Sequence, residues 1–145
     1  MSAFCASYNA VQGSLFLYNV DSLASLSCLC EVGSLSFDGT ALEHINGLSS
    51  IQALIHPAGR IYIANNAHLK NILGLGGPMV VPNGLQIENN DRLNDVTGLH
   101  GIQSLGDCLW IGGNPLLAEA DAEALFEAIG EANMPYAVID GVTYK

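Results

Sequence analysis

The sequence has few charged residues and very few positive ones. Only 12% of its 145 residues are charged, and 4 Lys and Arg stand against 14 Asp and Glu, a formal net charge of −10. This balance argues against binding to a nucleic-acid phosphate backbone or to an anionic membrane surface. No apolar run approaches the roughly 18 residues of a membrane span, and no signal peptide is evident. We expect a soluble protein, cytoplasmic by default or part of a larger surface protein.

Cysteine is also scarce. Cys5, Cys28, Cys30 and Cys108 are too few and too scattered for a disulfide-dense scaffold. No C-x-x-C pair of a zinc or redox site occurs. The favoured interpretation is four small, buried, reduced thiols. A structural disulfide from Cys5 to Cys28 or Cys30 is the main alternative.

Catalytic and metal-binding patterns are missing as well. No Gly-x-Ser-x-Gly nucleophile elbow occurs, and carboxylates such as Glu88 and Asp91 have no evident partner to shift their pKa values. The histidines lie between predicted strands, without metal-ligand spacing, at His44, His56, His68 and His100. The sequence therefore predicts no enzyme, no metal site and no cofactor.

The sequence does contain an internal repeat. Three segments align at a spacing of 24 residues, and two weaker copies precede them. The opening segments of the five copies are 15–23, 35–42, 61–69, 85–93 and 109–117. Each starts as a short L-x-L strand and continues with an apolar residue at every third position, as in Leu69, Ile72 and Leu75. Such a copy describes one coil of a solenoid, which buries its apolar face only by stacking on its neighbours.

Asparagines mark the point where the chain leaves each strand. Asn66, Asn90 and Asn114 align in register, and Asn65 and Asn89 directly precede two of them. A stacked asparagine can satisfy backbone groups of its own copy and of the next one inside a turn. We expect a structural ladder, with a ligand-binding ladder as the alternative.

The pattern L-x-I-x-N-N-x-x-L-x-x-[IV]-x-x-L resembles the leucine-rich repeats. It is most similar to the receptor L-domain type, found in the ligand-binding halves of insulin and epidermal growth factor receptors and in many microbial surface proteins. The resemblance covers about 13–117 and implies a parallel sheet on one face and a binding role, usually for proteins. The cysteine-rich modules of the animal receptors are missing, so no growth-factor receptor is implied.

The C-terminal segment does not repeat. Residues 118–129 are rich in helix formers, with Asp121 or Asn114 placed to cap the start of a helix and Gly130 placed to stop it. A strand at 136–139, an Asp-Gly turn and a strand at 142–144 follow.

These features predict one α/β repeat domain. We expect a short right-handed solenoid of about five coils, with a parallel sheet on one face and a C-terminal helix cap. Its parts would be an N-terminal cap at 1–12, the repeats at 13–117 and a helix and strand cap at 118–145.

The exposed face of the sheet is the candidate functional surface. In an L-x-L strand the leucines point inward, so the residues between and after them point outward. The outward positions include several aromatic residues and the single tryptophan. We name this set the aromatic stripe: Phe16, Tyr18, Tyr62, Gln86, Glu88 and Trp110.

Large exposed aromatic residues mark binding surfaces. We therefore expect a non-catalytic binding module that engages a protein partner through the aromatic stripe. One alternative is a self-assembling or structural unit whose stripe is a homodimer interface. Others are a carbohydrate-binding solenoid, in which sugar rings stack on the aromatics, and cover of the stripe by the chain itself.

Overall fold

The computed structural model describes residues 8–75 and 79–145, which form twelve strands and one α-helix. The helix, α1, is Glu119–Ile129, and short 3-10 turns cover Ala24–Leu26, Thr97–Leu99 and Glu131–Asn133. The strands are β1 Ala10–Leu17, β2 Glu31–Asp38, β3 His44–Ile45, β4 Ala53–Leu54, β5 Ile61–Ala64, β6 Asn71–Ile72, β7 Met79–Val81, β8 Leu85–Glu88, β9 Ile102–Leu105, β10 Cys108–Gly112, β11 Tyr136–Ile139 and β12 Val142–Tyr144.

The main sheet runs in the order β1-β2-β5-β8-β10-β11-β12, with β4 also paired to β2. Every pairing in it is parallel except β11 with β12. Two small parallel pairs, β3–β6 and β7–β9, lie in the segments between the strands of the main sheet. The described chain is therefore mostly parallel sheet with one helix.

The strand register matches the repeat alignment. Leu15 pairs with Leu35, Leu35 with Ile61, Ile61 with Leu85, and Leu85 with Leu109. These are the first residues of the five copies, so the predicted alignment is confirmed at the level of strand pairing.

The buried residues follow the two predicted spacings, which are alternation within the strands and every third position between them. In β5, Ile61 and Ile63 are buried while Tyr62 between them is half-buried. Between the strands, the apolar residues at every third position are buried, as at Ile72 and Leu75. The alternating strand and the three-residue step are both confirmed, because each places one side chain per period against the neighbouring copy.

A column of glycines lets successive copies approach closely. Gly47, Gly74 and Gly98 hold the same repeat position, two residues after the apolar residue that follows each turn. A Cβ on Gly47 would lie 2.8 Å from the Cβ of Leu23, and one on Gly74 would lie 2.9 Å from the Cα of Asn46. The recurring [IV]-x-G-L tetrapeptide is the sequence signal for this column, which our repeat pattern does not include.

The helix ends partly as predicted. Its N-cap is Ala118, which makes no side-chain cap bond, so the prediction of Asp121 or Asn114 as the cap is wrong. Asn114 is held in the buried turn and its amide is used there. Gly130, at φ +89°, ends the helix as predicted.

The last two strands form the predicted hairpin. Asp140 and Gly141 have φ values of +46° and +84°, as a two-residue hairpin turn requires. The helix buries Ala122, Leu125 and Ile129 in the core, beside β9 and β11. The helix and the hairpin therefore cover one end of the row of repeat copies.

The cysteines differ from the favoured interpretation. Cys28 is disulfide-bonded, and the free Cys30 and Cys108 are half-buried, so the prediction of four buried reduced thiols is wrong. Cys28 and Cys30 flank Leu29, which takes the buried position and leaves both neighbours nearer the surface. Cys5 lies outside the described residues.

Candidate binding surface on the outer sheet face

The strand register lines up the outward residues of five strands. Phe16 pairs with Ser36, Ser36 with Tyr62, Tyr62 with Gln86, and Gln86 with Trp110. Neighbouring strands lie about 4.8 Å apart, so this row spans about 19 Å across the sheet. The aromatic stripe therefore shares one face.

The two ends of the aromatic stripe are open. Phe16 is 73% exposed and Tyr18 74%, while Trp110 at the other end is 41% exposed. The indole Nε1 of Trp110 lies 3.7 Å from the position that a Cβ on Gly112 would take, so the ring extends over the glycine. Cover of these ends by the described part of the chain is thus limited.

The centre of the aromatic stripe is a polar cluster. The hydroxyl of Tyr62 donates a hydrogen bond to Oε1 of Glu88 at 3.0 Å. The guanidinium of Arg60 lies 5.7 Å from the centre of the Tyr62 ring, a cation–π distance. Burial raises the pKa of Tyr62, and the bond to Glu88 raises it further. Tyr62 therefore remains a neutral donor, held between a cation and a carboxylate.

One outward position is not accessible. Ala64 is buried, although the alternation places it on the outer face. It pairs in register with Asp38 on one side and Glu88 on the other, and both side chains are longer than its methyl group. Asp38 in turn accepts a hydrogen bond of 2.9 Å from the Asn65 side chain.

The asparagine ladder is structural, as predicted. Asn66 and Asn90 are completely buried and Asn114 nearly so. Nδ2 of Asn66 donates to Oδ1 of Asn90 at 2.9 Å, and Nδ2 of Asn90 donates to Oδ1 of Asn114 at 3.0 Å. Thr40 extends the row, donating through its backbone N–H and its hydroxyl to Asn66. Their burial leaves no ligand-facing side of the ladder.

The first asparagine of each pair has a different role from the second. Asn19, Asn65 and Asn89 have φ values of +54°, +57° and +54°, and Gly39 and Gly113 hold the same position in the other two copies. Glycine adopts this left-handed conformation freely, and asparagine and aspartate adopt it more readily than other residues. The sequence signal is the occurrence of either Asn or Gly at this one repeat position, which our sequence analysis did not use.

The remaining polar groups of residues 8–75 and 79–145 are dispersed over the surface. Each of the four histidines has an exposed side chain, at His44, His56, His68 and His100. Among the described residues, no three His, Cys, Asp or Glu side chains are arranged to hold a metal ion. One cavity of 590 Å³ is lined by Asp21, Glu43 and their neighbours. It lies beside the segment that connects β1 to β2, which is shorter than the segments that connect the later strands of the main sheet. That segment forms no strand against β3.

Comparison of the chain with family models, with curated proteins and with solved structures finds no match. The part of the chain that the structure describes contains no helix with the length and apolar character needed to cross a membrane. Evidence for function must therefore come from the surface itself.

Proposed function

We propose that this protein is a non-catalytic binding module that engages a protein partner through the aromatic stripe. Its architecture would be a short right-handed solenoid of about five coils, related to the leucine-rich repeats of the receptor L-domain type. The observation that carries the proposal is the strand register, which puts Phe16, Tyr62 and Trp110 in one row on one sheet face.

The residue types on this face suit a protein interface. Tyr, Trp and Arg dominate the energetic centres of such interfaces, and all three occur here as Tyr62, Trp110 and Arg60. The face combines aromatic residues at both ends with hydrogen-bonded polar groups between them, and non-obligate interfaces are likewise mixed in composition.

The shape of the face also favours a protein over a small molecule. The cavity beside the centre of the aromatic stripe measures 110 Å³ and is lined by Arg60, Gln86, Asp107 and their neighbours. Small-molecule sites usually measure about 300–1,000 Å³. A flat row about 19 Å long offers area rather than enclosure, as a protein partner needs.

The charge of the chain indicates the charge of the partner. The net charge is −10, and on this face Asp38 and Glu88 outnumber Arg60. Complementary potential speeds association and rejects wrong partners. We therefore expect a partner with a neutral or basic contact surface.

Site-specific cross-linking tests the proposal. A photoreactive benzophenone amino acid at Gln86, which lies between Tyr62 and Trp110 in the row, should capture one partner from an extract of the source cells, and the same probe at Val80 should not. Val80 is 53% exposed but lies on β7, outside the main sheet. Trp110→Ala should weaken the interaction about 30-fold or more, whereas Leu73→Ala, which also truncates an exposed side chain, should leave it unchanged. Capture that survives Trp110→Ala combined with Tyr62→Ala would exclude the aromatic stripe as the site.

The fluorescence of Trp110 separates this proposal from the homodimer alternative. A red-shifted emission that acrylamide quenches readily, and that stays unchanged as the protein is diluted, indicates an open stripe. A blue-shifted emission that turns red as the mass falls on dilution indicates that the stripe is a subunit interface.

Carbohydrate is the second candidate ligand. The exposed indole of Trp110 extends over Gly112 and adjoins Gln86, whose amide can bond sugar hydroxyls. Binding on a glycan array that is lost with Trp110→Ala would favour this candidate. An array without signal would exclude it in favour of a protein partner.

A further inference from the structure

Strand β1 lies at one edge of the main sheet. Among the described residues it pairs only with β2, so the backbone groups on its other side face outward over a strand of eight residues. The strand AVQGSLFL contains no charged residue and no proline. Charges, proline, short length and β-bulges keep an edge strand from pairing with another chain. Strand β1 is long and has neither a charge nor a proline, and its one irregularity is a register shift against β2 between Val11 and Ser14.

The opposite edge of the sheet has two of these protections, short length and a charge. Strand β12 is three residues long, runs antiparallel to β11 and is followed by Lys145. The hydroxyl of Tyr144 donates to Oε1 of Glu123 on the helix at 2.8 Å. The two edges of one sheet therefore differ in their capacity to add a strand.

Apolar side chains at the β1 end also lack cover. Val11, Leu15, Val20 and Leu26 pack against the core but are only partly buried, whereas Leu35, the register partner of Leu15, is completely buried. A further layer over this end would bury them as the inner copies bury theirs.

The distribution of charge selects the occupant. The first 30 residues contain one acidic residue, Asp21, and no basic one, whereas 119–145 contain six acidic residues and Lys145 alone. Two chains that met through their C-terminal ends would bring twelve carboxylates together. Two chains that meet through β1 would place those ends far apart and would face each other with almost no charge.

We propose that β1 pairs antiparallel with β1 of a second copy of this chain, forming a closed two-fold dimer with one continuous sheet. An antiparallel strand pair is self-complementary about a two-fold axis, so the β1 edge of each copy is used and none is left for a third copy. The outer sheet faces of the two copies then lie on the same side of the dimer, and the two aromatic stripes meet at their Phe16 ends. This dimer is independent of the partner-binding role, and either can fail while the other stands.

Sedimentation of the full chain over a dilution series tests the dimer. We expect twice 15.2 kDa at high concentration and dissociation on dilution. Ser14→Glu puts a charge on the exposed face of β1, opposite its symmetry mate, and should raise the dimer dissociation constant about tenfold or more. Mixing the Ser14→Glu and Ser14→Lys variants should restore a heterodimer.

Thr143→Glu is the matched control, because it adds the same charge to the exposed face of the other edge strand. It should leave the dissociation constant unchanged, and both variants should keep the thermal unfolding midpoint of the parent at concentrations at which the parent is monomeric. A monomer at every concentration would overturn the proposal, including one whose β1 amides are protected by its own N-terminal segment. So would a dimer that Trp110→Ala dissociates and Ser14→Glu does not, since the stripe would then be the interface.

Discussion

The buried asparagine ladder and the half-buried Tyr62 cluster on the sheet face are both held by side-chain hydrogen bonds but stabilise different parts of the molecule. Asn66, Asn90 and Asn114 are bonded to one another and to backbone carbonyls away from water. Tyr62 and Glu88 are bonded on the surface of the sheet. A hydrogen bond lost inside leaves groups that water cannot reach, and one lost on the surface is replaced by water.

This contrast separates the residues that stabilise the fold from the residues that a partner can contact. The ladder connects neighbouring copies and is fully used by them. The cluster positions a neutral hydroxyl, a carboxylate and a guanidinium at the surface, where a partner can add contacts. Substitutions in the two regions should therefore act on different measurements.

The largest loss of folding stability is expected for Asn90→Ala. It removes the acceptor of the Asn66 backbone N–H and side-chain amide and the donor to the Ile63 carbonyl. Several buried groups then lack a partner, at about 1–3 kcal/mol each, so the free energy of unfolding should fall by about 3 kcal/mol or more. Urea denaturation measures it.

Asn65→Gly is the control for Asn90→Ala. Glycine keeps the φ of +57°, and only the exposed bond to Asp38 is lost, so the change should stay within about 1 kcal/mol. If the two variants lose equal stability, the contrast between the buried ladder and the exposed positions is wrong.

Gly113→Ala tests the turn where the two regions meet. Its φ is +66°, and an added Cβ would collide with Oδ1 of Asn89. The loss should be about 2–3 kcal/mol, from the left-handed backbone and the displaced neighbour together. Gly141→Ala shares the positive φ but has no atom within 4 Å of the added Cβ, so thermal unfolding should show a loss of only about 1 kcal/mol. Equal losses would mean that the Asn89 contact is unimportant.

Tyr62→Phe should change stability by no more than about 0.5 kcal/mol, because the lost bond to Glu88 lies at the surface. The same change removes the hydroxyl from the centre of the aromatic stripe, so partner capture should weaken although the fold does not. Chemical denaturation and cross-linking yield on the same sample compare the two. A large stability loss with unchanged capture would place Tyr62 with the structural residues.

The smallest effect is expected for Lys70→Ala. The hydrogen bond from Lys70 and its charge lower the pKa of Glu43, and both side chains are exposed. A lowered pKa in the folded state adds stability at pH values above the ordinary pKa and loses it as the pH falls through the folded value. The parent should therefore exceed the variant slightly in urea midpoint at pH 7, and the gap should vanish in acid. A gap that persists in acid would need a cause other than Glu43.

Much of the fold could be predicted because its signals are local. The alternating strand and the three-residue step are readable within each copy, and the 24-residue spacing aligned Ile61, Leu85 and Leu109 as they pair in the sheet. The hairpin turn at Asp140 and Gly141 was likewise readable from two residues.

The errors arose where a residue had more than one possible partner. Asn114 was considered as a helix cap, but its amide bonds the Ile87 carbonyl and the neighbouring ladder. The strand alternation places Ala64 on the outer face, yet it is buried, with longer side chains on either side of it. Cys28 was expected in the core, but the adjacent Leu29 takes the buried position.

The sequence by itself determined which residues face inward and where the chain turns, because apolar periodicity and the conformational freedom of Asn and Gly act within a few residues. Only the tertiary structure decided how open the outward residues are and which edge of the sheet is unpaired. Tyr62 bonds Glu88 from the next copy, and β1 lies at an edge because of the order in which the strands stack. Exposure and edge position depend on neighbours that are distant in the chain, and no local pattern specifies them.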